Sequence, residues 1–137
     1  MWVMRALPAD ASDEDRHLAL LHDVVEDCRK RLAILMVQMQ MEFDPANPVV
    51  YLDFFRRRGY SSYVVEGLML LTRDMWSGSY MSYIRNIIAS GHHGAMWIKY
   101  TWIIVITAIQ HDWPVCCRRT RVGSVRCRGA IAAVGWH

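Results

Sequence analysis

Apolar residues recur at helical spacing in the first third of the chain. Seven of them follow one another at alternating steps of three and four: Leu18, Leu21, Val25, Cys28, Leu32, Leu35 and Met39. This spacing places all seven on one face of an amphipathic helix. Ser12 precedes three acidic residues, which is typical of a helix N-terminus. The pattern predicts a helix over residues 13–41 and favours a core-facing stripe over the alternative, a coiled-coil dimer seam.

The length of this predicted helix conflicts with the size of the protein. A straight helix over 13–41 would be about 42 Å long at a rise of 1.5 Å per residue. A compact domain of 137 residues is only about 35–40 Å across. We therefore expect a bend, a break or an end that projects into a partner.

Four further helices are indicated by caps and helix breakers. They are predicted over residues 48–59, 62–75, 80–90 and 95–110. The β-branched stretch 103–107 is also compatible with a strand, although the length of the segment favours a helix. The last two helices contain Arg85 and Lys99 as their only charged residues. A helix that is apolar all round must be surrounded by other elements, so we expect residues 80–110 to form a buried central hairpin wrapped by the amphipathic helices. The sequence thus predicts an all-α bundle.

Length and charge indicate one domain over residues 1–137 with a basic, flexible tail over 117–137. Residues 1–74 hold nine Lys and Arg against twelve Asp and Glu, a net charge of −3. Residues 75–137 hold seven against one, a net charge of +6. Five arginines lie in the stretch 118–128, which has no acidic residue. We expect such a tail to keep the protein soluble. The alternative is that it contacts RNA or an anionic membrane.

The cysteines are typical of a protein from a reducing compartment, and the hydropathy pattern does not predict a membrane-spanning helix. Cys28 lies within the apolar stripe, where a free thiol packs as a small hydrophobe. Cys116 and Cys117 are adjacent and rarely bond to each other, so a cytoplasmic location is expected. The chain has neither the order of segments of a signal peptide nor a run of about 18 uncharged apolar residues, so no stable membrane insertion is expected.

Candidate catalytic and metal-binding patterns are weak. His111 and Asp112 are neighbours, but no nucleophile, paired carboxylate or phosphate-binding glycine loop accompanies them. His92 and His93 form an adjacent pair between glycines, which favours an exposed loop over a chelating site. The cysteines have no zinc-site spacing. We expect a non-enzymatic protein without a metal or another cofactor.

Several short motifs resemble the Bcl-2 family, and its divergent virus-encoded members in particular. Residues 55–59 (Phe-Arg-Arg-Arg-Gly) resemble the third homology motif, BH3, with Tyr60 in place of the acidic residue that follows its glycine. Residues 73–80 resemble the approach to the family's central helix. Tyr80, or Tyr83 in an alternative register, stands where the family has its groove arginine. Residues 109–113 look like a shortened BH2 motif.

The resemblance, which spans about residues 12–115, implies an inhibitor of apoptosis. The family's binding members hold an amphipathic BH3 helix in a hydrophobic groove. The implied partners are pro-apoptotic BH3-containing proteins of the Bim, Bak or Bax type, met in the cytoplasm of a host cell, with association with mitochondria and homodimer formation left open. The implied groove residues are Tyr60, Tyr63, Val64, Leu68, Leu71, Arg73, Met75, Tyr80, Tyr83, Arg85 and Ile87. Arg73 or Arg85 would pair with the ligand's aspartate in place of the missing arginine.

A second interpretation follows from the charge distribution. The chain would then be a small basic viral accessory protein whose arginine-rich tail binds nucleic acid and whose helices form a dimer. We favour the first interpretation, in which no nucleic acid is bound.

Overall fold

The computed structural model describes residues 2–112, and the account below is confined to them. The helices run over Trp2–Arg5 (α1), Asp13–Leu21 (α2), Val24–Asp27 (α3), Arg29–Gln38 (α4), Val50–Arg57 (α5), Ser62–Leu71 (α6), Tyr80–Ser90 (α7) and His93–Asp112 (α8), with a 3₁₀ turn at Arg73–Met75. No strand is present over this range, so the prediction of an all-α helical bundle is confirmed. The stretch 103–107 lies within α8. The predicted tail, 117–137, is outside the described residues.

The long first helix is divided into α2, α3 and α4, as its excessive length predicts. The first interruption is at His22 and Asp23, and the second is at Cys28, whose backbone leaves the helical range (φ −115°, ψ 17°). These breaks let the apolar stripe turn around the core. Its first five positions, Leu18 to Leu32, are buried, and Leu35 and Met39 pack against the same core. The stripe is therefore a core face within one chain.

Cys28 lies at the break between α3 and α4 and is 4% exposed. The stripe position predicts this burial. The sulfur, however, is disulfide-bonded, so the expectation of a free thiol is wrong. The other three cysteines lie beyond the described residues.

The most deeply buried helix is α6. Six of its residues are buried: Val64, Val65, Gly67, Leu68, Leu70 and Leu71. It contacts α2, α5, α7 and α8. Ser61 caps its N-terminus by accepting from the Val64 N–H at 3.4 Å. Since its sequence is nearly apolar all round, surrounding it with other helices satisfies its composition.

The expectation of a buried central hairpin over 80–110 is wrong for the described residues. Only Tyr83 and Ile87 of α7 are buried, and among the α8 residues whose burial is described only Gly94, Ala95, Ile98 and Thr101 are buried. The physical reason is that a helix with a single charged residue can still have a polar face: Ser82, Arg85 and Asn86 lie between the apolar positions of α7. The two helices therefore bury one face against α6 and leave another apolar face exposed.

Gly67 sets how closely α6 approaches α2. A Cβ atom at this position would overlap Leu18 Cδ2, lie 2.8 Å from Leu18 Cδ1 and lie 3.1 Å from His92 Cε1. These distances are below an ordinary van der Waals contact, so a side chain at this position would force the buried Leu18 side chain or the helices themselves to shift.

We predict that Gly67→Ala destabilises the protein, although alanine is the better helix former by about 1 kcal/mol. Overpacking against Leu18 and His92 should lower the free energy of unfolding by about 1–3 kcal/mol. Urea denaturation followed by circular dichroism measures the effect. Glu66→Ala, at the exposed neighbouring position, is the control and should change stability by less than about 0.5 kcal/mol. A stabilised Gly67→Ala protein would contradict the prediction.

Candidate functional site

A pocket of about 590 Å³ lies between α7, α8 and the loop that follows α1. This volume is within the range of about 300–1,000 Å³ that ligand sites occupy. Its lining consists of Leu7, Pro8, Asp10, Ala11, Asp15, Ile84, Ile87, Ile88, His93, Gly94, Met96, Trp97, Lys99, Tyr100 and Ile103. Most of these side chains are apolar, and the acidic residues come from the loop and from the first turn of α2.

The apolar walls follow from helical spacing. Ile84 and Ile88 are four residues apart on α7, and the α8 residues 96, 100 and 103 are separated by four and three. Residues at these separations share one side of a helix. Ile88 is 58% exposed, Trp97 42% and Tyr100 60%. A contiguous exposed surface of large apolar side chains is characteristic of an interaction site.

A hydrogen-bond network closes one end of the pocket around Asp15. The Tyr63 hydroxyl donates to Asp15 Oδ1 at 2.7 Å, and the Ser12 hydroxyl donates to Oδ2 at 2.8 Å. Burial raises the pKa of this carboxyl, but the hydrogen bonds from Tyr63 and Ser12 outweigh it and hold the pKa below its usual value. Gly94 donates its N–H to the Tyr63 hydroxyl oxygen at 3.0 Å. The network joins α2, α6 and α8.

His92 holds the start of α8. Its Nδ1 accepts from the Ala95 N–H at 3.1 Å, which satisfies a donor of the first turn as a capping side chain does. Its Nε2 lies 2.8 Å from the Tyr63 carbonyl oxygen, so Nε2 is the donor. The ring stacks on Tyr63 at 4.1 Å between centroids. The expectation of an exposed histidine pair is therefore wrong for His92, which is buried, and correct for His93.

The side chains implied as groove residues by the resemblance range from buried to exposed, and Arg73, Tyr80 and Tyr83 lie close together. The core residues among them are Val64, Leu68, Leu71, Tyr83 and Ile87; the half-buried ones are Tyr60, Tyr63, Arg73 and Met75; the exposed ones are Tyr80 and Arg85. Only Ile87 lines the pocket described above. The BH3-like stretch 55–59 begins at buried Phe55 and continues as three exposed arginines.

Arg73, proposed to meet a ligand's aspartate, is engaged within its own loop. Its guanidinium donates to the carbonyl oxygens of Trp76 at 2.5 Å and Gly78 at 2.6 Å, and it lies 5.5 Å from the centre of the Tyr83 ring. Tyr83 is buried, which raises the pKa of its hydroxyl, and it donates to the Leu71 carbonyl at 2.7 Å. Both side chains organise the connection from α6 to α7.

Lys99 lines the pocket, but its ammonium is directed elsewhere. Nζ lies 4.6 Å from the ring centre of Trp102, 5.0 Å from that of Tyr83 and 5.5 Å from that of Tyr80. None of these three rings belongs to the pocket lining. Burial lowers the pKa of Lys99, and the nearby Glu26 and Asp23 oppose this shift. The charge is thus held by aromatic faces outside the pocket.

Four pocket residues of α8 were not predicted from the sequence: Met96, Trp97, Tyr100 and Ile103. Their spacing along α8 is visible in the sequence, but a nearly uncharged helix suggested burial on every side. Spacing shows that these residues share a face. It does not show whether another helix covers that face.

Metal and membrane sites are not indicated over residues 2–112. No three His, Cys, Asp or Glu side chains in this range lie close enough together to hold a metal ion. No described helix combines the length and hydropathy needed to cross a membrane.

Comparisons with protein-family models, with curated proteins and with solved structures gave no match to this chain.

We predict that Asp15→Asn lowers stability at about pH 7 by about 0.5–1.5 kcal/mol, the contribution of a partly solvated charged hydrogen bond. The pKa of Asp15 is lowered in the folded protein. Its stabilising contribution is therefore complete above the usual value of 3.8 and is lost as the pH falls through the folded pKa. Urea unfolding of both proteins between about pH 7 and about pH 3 should show the difference shrinking at the acid end. A difference that stays constant over this range would contradict the assignment.

Proposed function

We propose that this protein binds an amphipathic helix of a partner protein in the pocket between α7 and α8. The observation that carries the proposal is the pair of apolar walls. Half-buried Ile84 and exposed Ile88 form the wall on α7, and exposed Trp97, Tyr100 and Ile103 form the wall on α8. Large apolar side chains that remain exposed along two neighbouring helices favour capture of a third helix.

The dimensions of the pocket suit this kind of ligand. The α8 wall from Met96 to Ile103 is about 10 Å long at 1.5 Å per residue, which matches two turns of a helix lying alongside it. A partner helix over that length presents anchors at i, i+3 or i+4, and i+7. Each fully buried anchor contributes about 1.5–3 kcal/mol. After ordering costs, three or four anchors are compatible with a dissociation constant of about nanomolar to micromolar.

The motif resemblance to the Bcl-2 family makes BH3 helices of the Bim, Bak or Bax type the first ligands to test. In this proposal the protein sequesters such helices and thereby inhibits apoptosis, as a virus-encoded factor would in the cytoplasm of its host. The pocket proposed here differs from the groove that the resemblance implies and shares Ile87 with it. A second chain that occupies the same walls would form a homodimer, and that dimer would compete with the partner helix.

We predict saturable one-to-one binding of at least one BH3 peptide, with a negative heat-capacity change because apolar surface is buried. Isothermal titration calorimetry against a peptide panel, in a buffer without reductant so that the Cys28 disulfide stays intact, measures it. Trp97→Ala should weaken that binding at least about tenfold, since large aromatic side chains dominate helix-groove energetics. Val37→Ala is the matched control: it removes an exposed apolar side chain from α4, away from the pocket, and should leave affinity unchanged.

Two results would contradict the proposal. Absence of binding to every peptide by a folded, helical protein would exclude BH3 helices as ligands. Equal losses in Trp97→Ala and Val37→Ala would show that a peptide binds, but outside the pocket.

A further inference from the structure

We propose that the helix bound in this pocket carries a lysine or arginine that pairs with Asp10 and Asp15 at the pocket's acidic end. This inference rests on the proposed function and names the charge of the partner. It follows from where the charged groups of the lining lie and from what each of them already contacts.

The pocket has a gradient of polarity along α8. At one end Asp15 of α2 lies against Gly94, in the first turn of α8. Asp10, five residues before Asp15 in the loop that leads to α2, also belongs to the lining. At the other end of the lining, Ile103 is nine residues further along that helix, about 14 Å away at 1.5 Å per residue. An occupying helix would therefore have apolar anchors along most of its length and one end against carboxylates.

The Asp15 carboxylate is held in place at this end. Its two oxygens accept from Tyr63 and Ser12, and a Cβ atom at Gly94 would overlap Asp15 Oδ1 and lie 2.8 Å from the Tyr63 hydroxyl oxygen. Neither donor carries a positive charge. The hydrogen bonds therefore orient the carboxylate without neutralising it. The nearby His92 ring also favours its charged form, and the carboxylate lines the pocket.

Asp10 supplies a second negative charge. It is exposed, and within residues 2–112 it makes no hydrogen bond or ion pair. Arg16 of α2 makes hydrogen bonds with the loop backbone. Its guanidinium donates to the carbonyl oxygens of Ala11 at 3.2 Å and Ala9 at 3.3 Å.

Positive groups near the lining do not cancel these charges. The described lining holds one lysine, one histidine (His93) and no arginine, and the ammonium of the lysine, Lys99, lies over three rings outside the pocket. The N-terminus of α8 also carries a partial positive charge. Its N–H groups at Gly94 and Ala95, however, already donate to Tyr63 and His92. An approaching ligand thus meets a negative potential at this end, which selects a cation on the partner.

The test uses two synthetic peptides with the same stripe of four leucines at i, i+4, i+7 and i+11. One has a pair of lysines at each end and the other a pair of glutamates at each end, so the direction of binding does not matter. Fluorescence anisotropy at low salt should show tighter binding of the lysine peptide, by about two- to fivefold for each exposed ion pair formed. This preference would run against the protein's net charge of +3, which by itself favours the glutamate peptide.

Asp10→Asn is the test variant, and it should reduce the preference for lysine by about two- to fivefold while both peptides still bind. Glu42→Gln removes the same charge from an exposed position outside the pocket and should leave the preference unchanged. Equal affinities of the two peptides for the unmodified protein, or an undiminished preference in Asp10→Asn, would overturn the inference and leave the helix-binding pocket standing. Absence of binding by both peptides would overturn the inference together with the proposed function.

Discussion

The packing around Leu18 is the constraint on which the rest of the structure depends. Two glycines pack against the Leu18 side chain, Gly67 of α6 and Gly94 of α8. A Cβ atom at either position would lie closer to Leu18 than an ordinary van der Waals contact. The absence of two side chains lets three helices converge on a fully buried leucine. The same convergence brings Tyr63 within hydrogen-bond distance of both Asp15 and Gly94. Apolar packing and the polar network therefore stabilise the same junction.

This junction explains where the pocket forms. With α6 taking the centre of the bundle, α7 and α8 each turn one face toward it and contribute Tyr83, Ile87, Ala95 and Ile98 to the core. Both helices carry more apolar side chains than one face can hold, so the remainder line the space between them. An apolar surface of this kind costs free energy in water, and a helix with a complementary stripe lowers that cost by covering it.

The acidic and basic side chains around the pocket differ in what they already contact, and this difference decides which charge a partner meets. Asp10 and Asp15 line the pocket, whereas Arg16 contacts backbone oxygens and Lys99 contacts aromatic rings. The motif resemblance implies the reverse arrangement, in which the protein provides an arginine and the ligand an aspartate. Arg73, one of the two residues expected in that role, is bound to the carbonyls of Trp76 and Gly78, and the other, Arg85, is exposed on α7. Sequence motifs indicate which residue types occur near one another along the chain, and only the contacts of each side chain decide which charges remain available.

The sequence by itself determined the helical content and much of the local structure. The stripe from Leu18 to Met39, the serine caps at Ser12 and Ser61 and the breaker before α7 are short-range features, and the free energies that produce them arise within a few residues. The length of the first stripe even required a break, because a straight helix would exceed the domain. Tertiary structure alone decided which apolar helix is central and which apolar face stays exposed. Periodicity assigns residues to the faces of a helix, but burial depends on which other helix packs there, and close approaches such as Leu18 against Gly67 settle that over long sequence separations.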